Sequence, residues 1–178
     1  ILSRLRKGRK TVVGHWQDPK TLERIAVWQR VAAAWADSQD MRILRFGDQM
    51  NNVAVTDGDK VEAELRFGYH VDYVPFSTVM TYFEKIEDKD VDALVEVYFN
   101  EYDHAPELED KTTEAYRKVW NSAKAELTLR AVLEAYGAKA FTSNFDDLGD
   151  VNVEETGKGF DQIPGLASQR LMADGYGF

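Results

Sequence analysis

The sequence lacks several residue types that would otherwise carry chemistry or cross-links. It contains no cysteine, which excludes a disulfide framework, a zinc site with thiolate ligands and a cysteine nucleophile. Its three histidines leave little material for a histidine-rich metal site. No run of about 18 apolar residues occurs, so we expect no membrane-spanning helix and no membrane partner. The remaining composition, with 44% hydrophobic and 30% charged residues, is ordinary for a globular protein.

Basic residues are also in deficit. The chain has 31 acidic and 22 basic residues, a formal net charge of −9. A nucleic-acid binder usually presents a basic face, so we expect no nucleic-acid partner. The first ten residues depart from this balance, because they hold five basic residues and no acid. We interpret residues 1–10 as a basic connecting segment, with a nucleic-acid arm as the alternative. No targeting segment is visible, and we therefore expect the cytoplasm.

The length of the chain indicates one domain. Its 178 residues fall within the roughly 100–200 residues of a typical domain. We interpret residues 1–178 as a single α/β domain. The chain opens at Ile1 rather than at a methionine and stops in the apolar stretch GYGF, whereas domain termini are usually polar. We therefore expect a segment of a longer protein.

Apolar patterning predicts strands that alternate with helices. Short β-rich runs predict strands at residues 11–13, 41–46, 69–74 and 138–145. Apolar positions three and four residues apart predict helices at residues 18–38, 56–68, 76–87, 91–102, 113–136 and 165–174. This order is typical of a parallel sheet with helices on both faces. The predicted fold class is therefore α/β, a three-layer doubly wound parallel sheet of the flavodoxin-like type.

In such sheets, ligands bind beyond the carboxyl ends of the strands. The residues to examine there are 15–17, 48–50 and 144–147. His15 has two open roles, since it either donates to a ligand or fixes its own loop by a hydrogen bond. Asp146 and Asp147 follow the last predicted strand, and they are either a metal or acid–base pair or solvated loop acids.

Familiar catalytic motifs are absent from the sequence. The first strand-to-helix turn has one glycine, Gly14, where a dinucleotide site needs several. No G-x-S-x-G motif surrounds a serine, which argues against a serine triad. Asp57-Gly58-Asp59 resembles the start of a calcium loop without its later ligands, so we interpret it as a capped helix start. The residues alone predict a polar crevice without a self-sufficient active site.

Four blocks of sequence carry a specific resemblance. They are TVVGHWQD at residues 11–18, RFGDQM and VAVTDGDK within 45–60, AFTSNFDDL at 140–148, and IPGLASQRLM with GYGF within 163–178. Each resembles a block of the L-arabinose isomerases, and the blocks occur in the family's order across nearly the whole chain. The resemblance implies the central domain of such an enzyme.

That resemblance implies a metal-dependent reaction in the full-length parent. The family interconverts L-arabinose and L-ribulose through an enediol in the cytoplasm. It uses a divalent cation, typically Mn²⁺, and it forms a homo-oligomer, a hexamer built from trimers. A cation stabilises the negative charge that develops on an enediolate oxygen, and a glutamate moves the proton.

For this chain, the resemblance implies part of a sugar pocket and no catalytic centre. The family's metal ligands and catalytic glutamates lie beyond Phe178, so we expect no catalytic residue, no metal and no activity from this segment alone. Phe145 matches a phenylalanine that approaches the sugar. Gln29 stands where the family usually has a pocket methionine. The loop at 149–161 is longer than the family's connection.

The substrate range and the role of the segment stay open at this stage. L-arabinose is the expected substrate, and D-galactose is a possible second sugar. The alternative to a piece of an isomerase is a non-catalytic sugar-binding or oligomerisation module. Sugar binding by the isolated chain would favour the sugar-binding module.

Overall fold

The structure, a computed structural model of the chain, describes residues 4–6, 8–144 and 159–178. It divides into two compact units, Ile1–Asp40 and Met41–Phe178. Among the described residues of the first unit, Thr21 is the one buried residue, so this unit has no hydrophobic core of its own. The interpretation of residues 1–178 as a single α/β domain stays a prediction, and so does that of residues 1–10 as a connecting segment.

The first unit is built around one helix. Helix α1 is Pro19–Ser38, and it begins where the sequence predicts. The Asp18 carboxylate accepts hydrogen bonds from the Lys20 backbone N–H (3.3 Å) and the Thr21 hydroxyl (2.8 Å). The bond from Lys20 caps a free N–H group at the start of the helix, and Pro19 suits the first helical position. The Thr21 hydroxyl and the Lys20 N–H lower the pKa of Asp18.

The predicted apolar stripe of α1 is exposed within this structure. Trp28 and Trp35 are each about half exposed, and Leu22, Ile25 and Val31 are exposed as well. The strand predicted at residues 11–13 is wrong, because these described residues have no regular secondary structure. A β-branched run forms a strand only where another strand pairs with it, and the described residues of this unit contain none.

Three parallel strands form the centre of the second unit. They are β1 (Arg42–Phe46), β2 (His70–Val74) and β3 (Ala140–Ser143), in the order β2-β1-β3 among the described residues. Phe46 lies opposite Val74 on one side and Ser143 on the other. Helical connections join the strands and flank the sheet. The predicted fold class, a parallel α/β sheet of the flavodoxin-like type, is confirmed.

Five helices surround this sheet in the described part of the second unit. They are α2 (Lys60–Phe67), α3 (Phe76–Phe83), α4 (Asp88–Glu101), α5 (Glu114–Tyr136) and α6 (Gly165–Ala173). Short 3₁₀ helices occur at Ala54–Thr56 and Pro106–Glu109. The five α-helices correspond to predicted helices with shifted ends, and the two 3₁₀ helices lie largely in predicted connections. The break before α4 falls earlier than predicted, because the acids Asp88 and Asp90 suit a first helical turn.

The main hydrophobic core lies between one face of the sheet and helices α3, α5 and α6. Leu44 and Phe46 alternate along β1 and are fully buried, and Phe46 contacts Phe141 of β3 with ring centroids 5.8 Å apart. The helices contribute Val79, Met80, Leu129, Val132, Leu133, Ala167 and Leu171 to the same cluster. This packing fixes the sheet and therefore the position of its carboxyl edge.

A second apolar cluster joins α4 to the first half of α5. Val91, Val95 and Tyr98 of α4 pack with Tyr116 and Ala123 of α5. The three residues of α4 lie three and four positions apart, as expected from the apolar spacing that predicts this helix. No helix in the described ranges combines the length and the apolar character needed to cross a membrane.

Candidate functional site

The carboxyl edge of the sheet brings polar residues together at the end of β1. Gly47 ends this strand in the left-handed region (φ 75°), a conformation that glycine adopts without strain. Its N–H donates to the Val74 carbonyl oxygen at the end of β2 (3.0 Å). The chain then turns out of the sheet at Asp48. The predicted edge site therefore begins where β1 and β2 both end.

Asp48 is held by its neighbours at this edge. Its carboxylate accepts hydrogen bonds from the Gln49 N–H (2.9 Å) and from Nη2 of Arg45 (3.2 Å). The Arg45 guanidinium also lies over the Tyr73 ring of β2, 5.5 Å from its centroid. Both donors bind Oδ1, and they hold the Asp48 carboxylate in the turn after β1.

Asn144 connects the ends of two neighbouring strands. It follows β3, and its side-chain amide donates to the main-chain oxygen of Asp48. This bond is long-range in sequence and joins β3 directly to the turn after β1. This edge therefore gathers four polar residues: Asp48, Gln49, Asn144 and Ser143. Such groups donate to and accept from the hydroxyls of a polyol ligand.

The connection after this edge is ordered by a hydroxyl group. Thr56 Oγ1 accepts from the Met50 N–H (3.1 Å) and donates to the Val53 carbonyl oxygen (2.7 Å). Helix α2 then begins with Asp59 as its cap, since the Asp59 carboxylate accepts from the Glu62 N–H (2.9 Å). The interpretation of residues 57–59 as a capped helix start is confirmed, although the helix begins at Lys60 and not at Thr56.

The described residues contain no ready-made cation site. No group of three or more histidine, aspartate or glutamate side chains in this part of the chain could hold a metal ion. The described strand-end residues offer one carboxylate, that of Asp48, and it is paired with Arg45 (3.2 Å). The described edge thus fits a hydroxyl-bearing ligand better than a divalent cation.

A separate cavity of about 150 Å³ lies in the helical layer. Phe83, Ser122, Phe160 and Gln162 line it, and the Gln162 amide donates to the Lys118 carbonyl oxygen (3.0 Å) and to Ser122 Oγ (2.6 Å). None of the described strand-end residues lines this cavity. We therefore place the candidate site at the sheet edge.

Comparison with known families shows the family to which the chain belongs. A model of the L-arabinose isomerase central domain matches residues 42–178, and a model of the N-terminal domain of the same enzyme matches residues 1–40. The chain belongs to the L-arabinose isomerase family. The boundary between the two family domains falls near residue 41, inside the stretch that the sequence resemblance assigned to the central domain alone.

Individual members of the L-arabinose isomerase family are closely similar to this chain. An L-arabinose isomerase of Phocaeicola vulgatus is 69% identical, and one of Bacteroides thetaiotaomicron is 68% identical, each over all 178 residues. An L-arabinose isomerase of Arthrobacter sp. is 46% identical over the same length. The chain spans about a third of the length of these relatives, 34%, 34% and 33% respectively.

The family resemblance implies two pocket residues, Gln29 and Phe145. Gln29 lies on α1 in the first unit, where it is exposed. Phe145 lies outside the described residues, as do Asp146, Asp147 and most of the loop at 149–161. Phe145 directly follows Asn144, which lies at the sheet edge. The assignment of Phe145 and Gln29 to a sugar pocket stays a prediction.

Two histidines are used within their own loops. The Gln17 N–H donates to Nδ1 of His15 (3.2 Å), so His15 fixes its loop, the second of its two predicted roles. His104 is held between the Tyr102 carbonyl oxygen (3.0 Å) and the Glu109 carboxylate (2.8 Å). The contact with Tyr102, followed by that with Glu109, raises the pKa of His104.

Sequence reasoning missed a buried charged network between α4, α5 and α6. Its centre is Glu126, which is 1% exposed and is bound by Tyr98, Arg130 and Arg170. The spacing of Glu126 and Arg130, four residues apart on a helix, signals an ion pair. That spacing carries no information about burial, because Tyr98 and Arg170 reach Glu126 from other helices.

Proposed function

We propose that this chain is a segment of an L-arabinose isomerase, an enzyme that interconverts L-arabinose and L-ribulose. The observation that carries the proposal is the 69% identity over all 178 residues with a relative of that name. The polar edge formed by Asp48, Gln49 and Asn144 is compatible with a sugar ligand, because its groups bond hydroxyls.

The segment contributes scaffold and part of the sugar pocket in this proposal. Aldose–ketose isomerisation through an enediol moves a proton between two adjacent carbons, which requires a base within hydrogen-bond reach of the carbon-bound proton. The carboxylate at the described edge, that of Asp48, is already bound by Arg45 and Gln49. We therefore assign no catalytic residue to this segment, and we expect it to be inactive alone.

The metal of the reaction belongs to other parts of the full-length protein. We propose Mn²⁺ as its cofactor, and the described residues do not fit a metal site, since they contain no cluster of three candidate ligands. Phe145 and Gln29 are the residues we propose to contact the sugar. L-arabinose is the proposed substrate, with D-galactose as a weaker second one.

We further propose a cytoplasmic homo-oligomer, a hexamer, that has neither nucleic-acid nor membrane partners. The net charge of −9 favours the absence of a nucleic-acid partner, because an acidic protein repels phosphates. Sedimentation of the full-length protein tests the assembly. A monomer at micromolar concentration contradicts it.

The reaction is tested with the full-length protein. After removal of metals with a chelator, it is incubated with L-arabinose with and without added Mn²⁺, and L-ribulose is measured. We expect product only with the cation, and none from the 178-residue segment under the same conditions. A full-length protein that forms no L-ribulose with any divalent cation overturns the proposal.

Substitutions test the two pocket residues in the same assay. Phe145→Ala and Gln29→Ala are expected to raise KM for L-arabinose about tenfold and about threefold, because a lost contact weakens sugar binding. Phe67→Ala is the matched control, since Phe67 lies on α2 with about half of its surface exposed. An unchanged KM in Phe145→Ala removes Phe145 from the pocket.

The alternative is a non-catalytic sugar-binding or oligomerisation module. Calorimetric titration of the segment with L-arabinose distinguishes it. Binding to the segment, together with an inactive full-length protein, would favour a binding module over the isomerase.

A further inference from the structure

The buried carboxylate of Glu126 has no part in the proposed reaction. Its Oε2 accepts from the Tyr98 hydroxyl (2.6 Å) and from Nε of Arg170 (3.3 Å), and its Oε1 accepts from Nη2 of Arg130 (3.0 Å). Burial of a charge is unfavourable unless the charge is paired. A buried pair adds little stability over apolar packing, and its documented use is to specify one arrangement of the chain.

Arg170 joins three helices at this point. From α6, its Nη1 donates to Glu101 at the end of α4 (2.5 Å) and to the Tyr102 hydroxyl (2.9 Å), while its Nε reaches Glu126 of α5. The guanidinium also lies over the Tyr98 ring, 5.2 Å from the centroid. A planar group bound along its edges and on its face has one orientation. Arg170 therefore sets the rotation of α6 against α4 and α5.

A second ion pair holds the end of α6. Arg130 of α5 donates from Nη2 to Asp174 (2.5 Å), one helical turn beyond Arg170. Arg130 also lies 6.0 Å from the ring centroid of Tyr176. Glu126 thus binds two arginines, Arg170 within α6 and Arg130, which holds Asp174 directly after it. Backbone bonds close the same end of α6, where the Gly175 N–H and the Tyr176 N–H donate to the Met172 and Leu171 carbonyl oxygens (3.0 Å each).

The residues after α6 run beside β3. The Gly177 N–H donates to the Lys139 carbonyl oxygen (2.9 Å), the Phe141 N–H donates to the Gly177 carbonyl oxygen (2.9 Å), and Ala140 and Gly177 form a parallel bridge. Phe178 contacts Phe141 with ring centroids 4.7 Å apart. Two backbone bonds are few to hold a short segment against the entropy of ordering it. Its register therefore depends on α6.

We propose that Glu126 and Arg170 are positioning residues for the isomerase site. Their ion pair sets the register of residues 175–178 against β3. Strand β3 ends at Ser143, directly before Asn144 on the edge where the sugar pocket is proposed. The parallel direction carries residues 175–178 toward the same edge. This inference rests on the proposed function for its catalytic consequence, and on the contacts above for the register itself.

The experiment uses the full-length protein and four variants. Arg170→Met removes the guanidinium, Arg170→Lys retains its charge, and Glu126→Gln with Arg170→Gln replaces the ion pair by amides, which guards against loss of folding from an unpaired buried charge. Arg117→Met is the matched control. Arg117 also lies on α5 and bonds an acid 44 residues away, Asp161, as Glu126 bonds Arg170 at the same separation.

Hydrogen exchange and kinetics are measured on each variant. We expect peptides covering residues 139–143 and 174–178 to exchange about tenfold faster in Arg170→Met and in the double variant, with the rest of the chain unchanged. We expect kcat to fall about tenfold with KM within about twofold, because the reacting groups are misplaced rather than lost. Arg170→Lys restores part of kcat, and Arg117→Met changes neither measurement.

Each other result overturns the inference. Unchanged exchange of the two peptides in the double variant removes the register role. Faster exchange throughout the chain, together with a proportional loss of activity, assigns the network to general stability instead. A wild-type protein that forms no L-ribulose refutes the proposed function separately, and the exchange data still decide whether the ion pair sets the register.

Discussion

Asn144 donates a hydrogen bond from its side-chain amide to the main-chain oxygen of Asp48. This contact ties the end of β3 to the turn after β1, although the two residues are far apart in sequence. The strands are neighbours in the sheet, so their ends meet at one edge. The contact places a polar side chain immediately before Phe145, the residue that we propose to contact the sugar.

Asn144→Ala is expected to loosen this edge. Removal of the amide should lower the free energy of unfolding by about 1 kcal/mol, the usual net contribution of one hydrogen bond. It should also raise KM for L-arabinose in the full-length protein. Urea denaturation and steady-state kinetics measure the two effects. Asn121→Ala is the control, because Asn121 also donates from its amide to Asp161 but lies away from the edge. Equal KM changes in both variants contradict the prediction.

Tyr98 makes the stability of the protein sensitive to alkaline pH. Burial, followed by the hydrogen bond and the negative charge of Glu126, raises the pKa of Tyr98 above its ordinary value of 10. Above pH 10 the unfolded chain releases this proton and the folded chain retains it, so stability falls as pH rises. The slope contributed by one such group approaches about 1.4 kcal/mol per pH unit.

Tyr98→Phe isolates this pH dependence. We expect the variant to be less stable by about 1–3 kcal/mol near neutral pH, because Glu126 loses a buried donor. The difference from wild type should shrink between pH 10 and 11, as measured by urea denaturation. Tyr102→Phe is the control. Tyr102 is 45% exposed, and its hydroxyl bonds Arg170 of the same network rather than Glu126. A difference that stays constant up to pH 11 contradicts the prediction.

His104 gives the protein a second pH dependence, with its window near neutrality. The contacts with the Tyr102 carbonyl oxygen and then Glu109 raise the pKa of His104 above its ordinary value of 6.5. The folded state therefore binds the proton more tightly than the unfolded state. The stabilising contribution is complete below pH 6.5 and is lost as pH rises through the folded pKa.

NMR titration of the histidine ring protons measures the His104 shift directly. Glu109→Gln should move the pKa of His104 toward its ordinary value, because the acceptor loses its charge. Glu107→Gln, at an acid on the same short 3₁₀ helix, serves as the control. Equal effects of the two variants would mean that general surface charge, and not the contact with Glu109, holds the proton.

The core makes a simpler prediction, on stability alone. Leu133→Ala on α5 removes a fully buried side chain and should lower the free energy of unfolding by about 2–5 kcal/mol. Leu65→Ala on α2 should change it by less than about 0.5 kcal/mol, because Leu65 is 83% exposed. Urea denaturation of the two variants compares the same chemical change in two environments. Similar losses would place Leu65 in an interface of the full-length protein.

The sequence predicts most of the second unit because local and tertiary preferences agree there. Val91, Val95 and Tyr98 lie on one predicted helix face and are buried, and the acidic cap at Asp59 starts α2. The same reasoning fails at residues 11–13. β-Branching favours an extended chain, but a strand also needs a partner, and a run of three residues contains no information about one.

The candidate site is predictable in position and not in detail. The carboxyl edge follows from the alternation of strands and helices, which places residues 48–50 and 144 together. The bond between Asn144 and Asp48 depends on strand order, which alternation alone leaves open. The pairing of Arg170 with Glu126 likewise depends on how three helices pack, and each residue alone resembles an ordinary surface charge.

The absence of a side chain at Gly177 allows the close approach of residues 175–178 to β3. A Cβ at Gly177 would lie 3.0 Å from the Cβ of Ala140, which is closer than ordinary contact. Gly177→Ala should therefore force the two segments apart and lower the free energy of unfolding by about 1–3 kcal/mol.

Gly165→Ala is the matched control with the opposite sign. A Cβ there meets nothing within 4 Å at the start of α6, so the same methyl group should raise the free energy of unfolding by about 0.4–1 kcal/mol through the lower entropy of the unfolded chain. Urea denaturation gives both values, and hydrogen exchange at the Phe141 amide, which donates to the Gly177 carbonyl oxygen, reports whether the segments separate. Stabilisation by Gly177→Ala would show that residues 175–178 tolerate a larger spacing from β3.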